Sequence, residues 1–200
     1  MIPSDITSIT LDYYSIHGDA FVHSTLAASM SLTLQEFLSL VPKEGCILDW
    51  GCGSGRDSKV MMDAEYNVFP TDASPCMCSY AESLLDTEVL CEHFLELTKE
   101  NYFDGIWACA SLLHLPLEQI RKAFSLAHIA LKPGGVMYAS FKYGSTEGFR
   151  SGRWFTDLTE KSLTNVIPNS FEIIKIWKSN DVRPERGHEQ WLNVLLKKAY

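Results

Sequence analysis

Between residues 46 and 57 a short apolar burst, Cys46-Ile47-Leu48-Asp49-Trp50, runs directly into a loop holding three glycines, Gly51-Cys52-Gly53-Ser54-Gly55, and then Arg56-Asp57. This pattern reads as a buried strand that turns through glycine into a helix. Glycine admits positive φ and lets a ligand approach the backbone closely. No Gly-Lys-Ser/Thr follows, which excludes a Walker loop. The dinucleotide pattern G-x-G-x-x-G also fails, because the third glycine comes one residue early. The strand ends on an acid, Asp49. A carboxylate there opposes a pyrophosphate and suits a cationic amino-acid group.

Two hydrophobic periods alternate along the rest of the chain. Phe21, Leu26, Met30, Leu34, Phe37, Leu38 and Val41 predict a helix over 21–41, stopped by Pro42-Lys43-Glu44-Gly45. A helix over 56–65 and a strand from Asn67 to Asp72 follow. Ser74-Pro75 opens a helix running to about Leu85, with Ser as N-cap and Pro at the first position. Strands are expected at Glu88–Phe94, Gly105–Ala110 and Val136–Phe141, and a helix from Leu117 to about Leu131. A polar loop (143–155), a short helix (159–166) and two last strands, Phe171–Lys178 and Trp191–Lys197, complete the chain. This order predicts an α/β fold: a doubly wound, mostly parallel sheet with an antiparallel hairpin at one edge. Asp72, closing the second strand, is placed to bind ribose hydroxyls. The candidate ligands for the loop are dinucleotides, phosphates and S-adenosylmethionine (SAM). Two carboxylates and three glycines at these places favour an adenosyl ligand carrying an ammonium.

The stretch Ile47–Asp57 resembles the first motif of class I SAM-dependent methyltransferases. Thr71-Asp72-Ala73-Ser74-Pro75 resembles their second-strand motif. Phe103-Asp104-Gly105-Ile106-Trp107-Ala108, followed by Ser111-Leu112-Leu113-His114, resembles the fourth-strand motif, and Leu131-Lys132-Pro133-Gly134-Gly135 the turn before strand five. The resemblance covers about residues 11–200 and leans toward the small-molecule and tellurite-resistance-like branch. It implies a Rossmann-like, seven-stranded sheet in one domain over 1–200. Residues 1–44 would be a helical segment capping the SAM site and 45–200 the core. SAM would be the cofactor and S-adenosylhomocysteine (SAH) the product. Asp49, Gly51, Gly53 and Gly55 would face the methionine part, with Cys52 and Arg56 also on the cofactor side. Asp72 would hold the ribose, Ala73 and Met77 would flank the adenine, His93 or Phe94 would close over it, and Ala110 or Ser111 would line the methionine side. Pro70 departs from the pattern, since a proline lacks the N–H an interior strand uses. It implies a bulge or an early strand end.

Methyl transfer from a sulfonium is an in-line displacement on an activated donor, so the protein has chiefly to align the nucleophile and exclude water. A base is needed only when the nucleophile arrives protonated. His114, following the fourth strand at the carboxyl edge of the sheet, is the candidate base; the alternative is a histidine that caps its loop. Tyr13 and Tyr14, with His17, either fold over the cofactor or pack onto the core. Four of the six arginines (Arg150, Arg153, Arg183 and Arg186) fall after residue 149, in expected loops. They form either an anion-recognition patch, with Arg153, Arg183 and Arg186 binding substrate, or a solubilising surface.

Two hundred residues, 46% hydrophobic and 21% charged, suit one domain with a real core. The 17 Lys+Arg against 25 Asp+Glu leave a net charge of -8, which disfavours nucleic acid as partner. No secretory signal or membrane-length apolar run is seen, so a cytoplasmic protein, monomer or homodimer, without membrane contact is expected. The six cysteines lie between 46 and 109 and read as free thiols. Cys76 and Cys78 would point about 200° apart on a helix, so no metal site is expected. Cys109 alone is well placed for substrate. The expected activity is methylation of a small metabolite, an anionic one if the arginines bind it. The alternatives are a silent SAM-binding module and a methyltransferase for nucleic acid, protein or a metalloid.

Overall fold

The computed structural model describes residues 4–26 and 28–199. In chain order its elements are α1 (Ser4–Leu26), α2 (Ser31–Leu38), β1 (Cys46–Trp50), α3 (Arg56–Asp63), β2 (Asn67–Asp72), α4 (Pro75–Leu85), β3 (Leu90–Cys91), β4 (Phe103–Ala108), α5 (Leu117–Ala130), β5 (Leu131–Lys142), β6 (Glu147–Arg150), β7 (Arg153–Thr156), α6 (Glu160–Val166), β8 (Phe171–Asn180) and β9 (Gln190–Lys198). Seven strands form one sheet in the order β3-β2-β1-β4-β5-β9-β8, and β6 and β7 form a separate two-stranded hairpin. β3 through β5 pair in parallel, while β9 runs antiparallel to both β5 and β8. This is the seven-stranded, mostly parallel sheet with an antiparallel edge that the sequence predicts.

Alternation along the strands sorts the core into two layers. Leu48, Ile106, Met137 and Phe141 face α5 and α6, packing with Phe124 and Leu163. Ile47, Trp107, Val136 and Tyr138 face the other way, against Phe37 of α2 and Met61 of α3. Asp49 shares this second face, and Ser58 of α3 donates to it. The strand parity that buries Ile47 therefore also aims the Asp49 carboxylate toward the start of α3.

Several expectations are corrected. The helix over 21–41 is two helices, α1 ending at Leu26 and α2 beginning at Ser31. Ser24 and Thr25 hydroxyls bond back to the Phe21 carbonyl, and the Arg56 guanidinium takes the Thr25 carbonyl at 3.2 Å. The same carbonyl accepts the Ala28 N–H at 3.0 Å, a tightened i→i+3 bond that closes the last turn of α1 in place of the next helical bond. The polar loop 143–155 contains the β6–β7 hairpin, turned at Ser151-Gly152, both at positive φ. The strand over Glu88–Phe94 shrinks to Leu90–Cys91, because His93 caps a 3-10 turn at Phe94–Glu96. Pro70 causes neither a bulge nor an early end: it sits in regular register opposite Asp49. In a parallel strand successive residues turn their polar groups to alternate neighbours. The Thr71 carbonyl faces β1 and that of Asp72 faces β3, so Pro70 faces the β3 side. β3 begins only opposite Thr71, and the missing donor disrupts no ladder bond.

Candidate active site

The carboxyl ends of β1, β2 and β4 converge on the glycine loop. Gly51 and Cys52 N–H groups both donate to the Thr71 carbonyl at 2.9 Å. The Gly53 N–H donates to one Asp72 oxygen at 2.9 Å and the Ser74 N–H to the other at 2.8 Å. Loop and acid therefore hold each other, and each carboxylate oxygen keeps a lone pair for a ligand hydroxyl. The loop needs glycine for different reasons along its length. Gly51 (φ 84°) lies against Ser111 and Phe94, Gly53 (φ 56°) has no atom within 4 Å of where a Cβ would stand, and Gly55 (φ 82°) starts α3 against Ala81 and Leu85. Only Gly53 presents an open backbone cradle.

Burial dominates the electrostatics. It pushes the Asp49 carboxyl up to about 7, with the nearby Asp57 charge adding to the rise and the Ser58 hydrogen bond (2.5 Å) opposing it. Burial likewise raises Asp72, against the backbone N–H bonds that favour its ionised form. Asp57 is held by Arg56 at 2.7 and 2.9 Å and by the Trp107 indole N–H at 2.9 Å.

Two adjoining cavities occupy this edge. The smaller, about 160 Å³, lies between the glycine loop, Asp72-Ala73, Met77, Phe94, Ala110-Ser111 and the α1 residues Thr10, Leu11 and Tyr14. The larger, about 390 Å³, is walled by α2, β5, the β6–β7 hairpin and the segment between β8 and β9. Tyr14, Phe21, Thr25, Arg56, Cys109, Ala110 and His114 line both. Of the residues expected around the cofactor, Asp49, Gly51, Cys52, Gly53, Arg56, Asp72, Ala73, Met77, Phe94, Ala110 and Ser111 line the smaller cavity. Gly55 does not; it packs beneath α4. His93 lines a different pocket beside β2, because its role as N-cap of the 3-10 turn directs it away. Tyr14, Arg153, Arg183 and Arg186 line the larger cavity, whereas Tyr13 does not: its ring lies under the Arg153 guanidinium at 4.3 Å. Thr10, Phe21, Thr25, Ser54 and Asp57 also line the smaller cavity. Of these Phe21 carried a sequence signal in its helical spacing and Ser54 and Asp57 in the glycine motif, whereas Thr10 and Thr25 carried none.

At the junction His114 is fully ordered by hydrogen bonds. Its Nδ1 lies 2.6 Å from the Trp154 carbonyl, which can only accept, so Nδ1 carries the proton of the neutral ring. Nε2 is then the acceptor for the Tyr14 hydroxyl at 3.0 Å. Arg153 Nη1 donates in turn to Tyr14 Oη at 3.3 Å. Burial holds His114 down to about 4, with the Arg153 charge also disfavouring protonation, and burial raises Tyr14. The neutral imidazole is thus a base with its acceptor nitrogen turned to the junction. Cys109 also lines both cavities, and burial raises its thiol. Thiolates, the species that hold soft metals, are disfavoured there. Among the described residues no group of three or more His, Cys, Asp or Glu side chains is arranged to hold a metal ion, and no helix is long and apolar enough to cross a membrane.

A doubly wound sheet with a glycine loop and two acids at its carboxyl edge defines an adenosyl-ligand enzyme class. Residues 47–135 match the family described as methyltransferase domain. The 1,6-didemethyltoxoflavin-N1-methyltransferase of Burkholderia thailandensis, solved with 1,6-didemethyltoxoflavin and SAH, superposes with a TM-score of 0.80 at 20% identity, over 100% of this chain and 92% of that one. A SAM-dependent methyltransferase of Methanosarcina mazei gives 0.71 at 18% identity, over 81% and 96%. The cyclase SpnF gives 0.67 at 17% identity, over 84% and 81%. No curated protein sequence matches the chain. Residues 47–135 thus carry the methyltransferase-domain match, and the whole chain shares its fold with SAM-dependent methyltransferases of solved structure.

Proposed function

We propose that the protein methylates a small molecule whose nucleophilic O or N arrives carrying a proton, working in the cytoplasm as a monomer or homodimer. The observation that carries this reading is the meeting of the two cavities at a tautomer-locked His114. Bound SAM supplies a methyl group on a sulfonium, open to in-line displacement. The chain's part is to hold the reactants and accept the proton. Asp49 and the Gly51–Gly53 backbone would face the methionine part, Asp72 the ribose, and Ala73, Met77 and Phe94 the adenine. Residues 1–44 would act as the cap, with α1 supplying Tyr14, Phe21 and Thr25 to both cavities. The acceptor's proton would pass to His114 Nε2, either directly or through the Tyr14 hydroxyl already bonded to it. A cavity of about 390 Å³ suits a metabolite-sized acceptor, and this favours small molecules over nucleic acid or protein. The 1,6-didemethyltoxoflavin bound by the Burkholderia enzyme is likewise a small molecule.

The test is SAH formation from SAM with a fractionated cell extract. Small-molecule fractions should support turnover and macromolecular ones should not. His114→Gln should lower that turnover by roughly 10²–10⁴-fold, the range typical of general-base catalysis, while SAH binding holds. Turnover only with nucleic acid or protein, or none with any fraction, would overturn the reading.

A further inference from the structure

The cations around the larger cavity are not equivalent. Arg183 and Lys142 pair with Asp181 at 2.6 and 3.1 Å, Arg186 and Lys142 with Glu189, and Arg56 with Asp57. Arg150, close in sequence, pairs with Asp157 at 2.5 Å. Arg153 alone of the cavity's cations has no carboxylate within ion-pair distance among the described residues. Its Nη1 hydrogen bond goes to the Tyr14 hydroxyl, and its Nε is buried without a partner. Arg153 is half-buried and lines the cavity, so its guanidinium stands at the wall without a counter-ion. A ligand that brings an oxyanion supplies one.

The site around this guanidinium is built and rigid. Tyr13 and Phe155 flank it at 4.3 and 5.1 Å from their ring centres. The next residue, Trp154, donates its N–H to Thr10 of α1 at 3.1 Å, and Thr156 donates to the Leu115 carbonyl at 2.7 Å. The hairpin is therefore fastened both to the helix that carries Tyr14 and to the segment that carries His114. Aromatic side chains (Tyr14, Phe21, Phe155, Trp191) line the same cavity, a wall that suits a flat, conjugated ligand.

We infer that Arg153 is the anchor for a carboxylate on a planar, conjugated acceptor, and that the paired Arg183 and Arg186 do not hold that charge. This rests on the reading of the larger cavity as the acceptor site. Guanidinium and carboxylate match in two parallel hydrogen bonds, and an anion so held lies one hydroxyl away from His114. Its charge also offsets that of Arg153, which otherwise disfavours a proton on the imidazole. A bound acid would thereby make His114 a stronger base only when substrate is present.

The experiment is calorimetric titration of the full chain, saturated with SAH, using benzoate, its neutral isostere benzamide, and inorganic phosphate. Benzoate should bind about ten- to hundredfold more tightly than benzamide, the range expected for a hydrogen bond to a charged group, and more tightly than phosphate. Arg153→Met should remove that preference while SAH affinity holds, and Arg183→Met should keep the preference for benzoate over benzamide. Benzoate should also raise the His114 titration midpoint, followed by NMR. Equal affinities for benzoate and benzamide in the wild-type chain would overturn the inference with no variant needed. So would tighter phosphate binding, or a loss on Arg183→Met as large as on Arg153→Met. Failure to bind SAH at all would instead count against the methyltransferase reading itself.

Discussion

Gly51 and Gly53 stand two residues apart in one loop, both at positive φ, and replacing each by alanine should produce opposite phenotypes. Alanine in the left-handed region costs about 1–2 kcal/mol at either position. At Gly51 the new methyl would collide with Ser111 and stand 3.1 Å from the Phe94 ring, while at Gly53 it would meet no atom within 4 Å. Forced overlap adds about 1–3 kcal/mol, so Gly51→Ala should lose roughly 2–5 kcal/mol and Gly53→Ala roughly 1–2 kcal/mol. For a domain of this size each kcal/mol lowers Tm by about 2–4 °C. Gly51→Ala should therefore melt roughly 4–20 °C early and Gly53→Ala roughly 2–8 °C early. Binding should run the other way: the Gly53 methyl projects from the cradle that lines the smaller cavity, so Gly53→Ala should lose far more SAH affinity per degree of Tm. Guanidinium melts and SAH calorimetry on both variants read this out. Equal destabilisation, or full SAH affinity in Gly53→Ala, would refute the division between a packing glycine and a ligand glycine.

Two predictions concern pH. Asp49 must be ionised to face an ammonium, and burial together with Asp57 places its titration near 7 despite the opposing Arg56 and Ser58. SAH affinity should rise about tenfold per pH unit from about pH 5 to about pH 7, and Asp49→Asn should flatten that slope; a flat wild-type profile contradicts the assignment. Stability should show two opposed slopes. His114 is lowered from 6.5 to about 4, so its contribution is present above 6.5 and lost as pH falls toward 4. Asp49 is raised from 3.8 to about 7, so stability falls as pH rises across that interval. Each contributes at most about 1.4 kcal/mol per pH unit, so between about pH 4 and pH 6.5 the two contributions oppose one another. His114→Gln should uncover a decline with rising pH in urea melts, and a variant that instead gains stability with pH breaks the argument.

Local features were legible because local constraints produce them. The glycine loop, the Ser74-Pro75 helix start and the strand periods each need only neighbouring residues to be read. They were enough to predict the sheet, its antiparallel edge and most of the expected residues that line the smaller cavity. Errors arose where a neighbour far along the chain decides the outcome. The Thr25 carbonyl at the end of α1 is shared between the Ala28 N–H and Arg56, which lies 31 residues away. One error is local: His93 caps a 3-10 turn that Phe94 begins, through a capping box with Glu96, a distinction that a strand reading of 88–94 erases. Pro70 is harmless only because β3 is two residues long.

Fold class and the glycine loop after β1 follow from the amino-acid order alone, since φ preference, side-chain period and capping are properties of short segments. Which polar residues are free to act does not. Arg150, Arg153, Arg183 and Arg186 look alike as text; among the described residues, three of them are given carboxylates and Arg153 is left without one. Tyr14, His114 and Arg153 meet across separations of 100 and 139 residues. Hydrogen bonds between such distant groups exist only once α1, the β4 edge and the β6–β7 hairpin have packed together. Packing therefore decides which side chains are neutralised and which are left to bind or accept a proton.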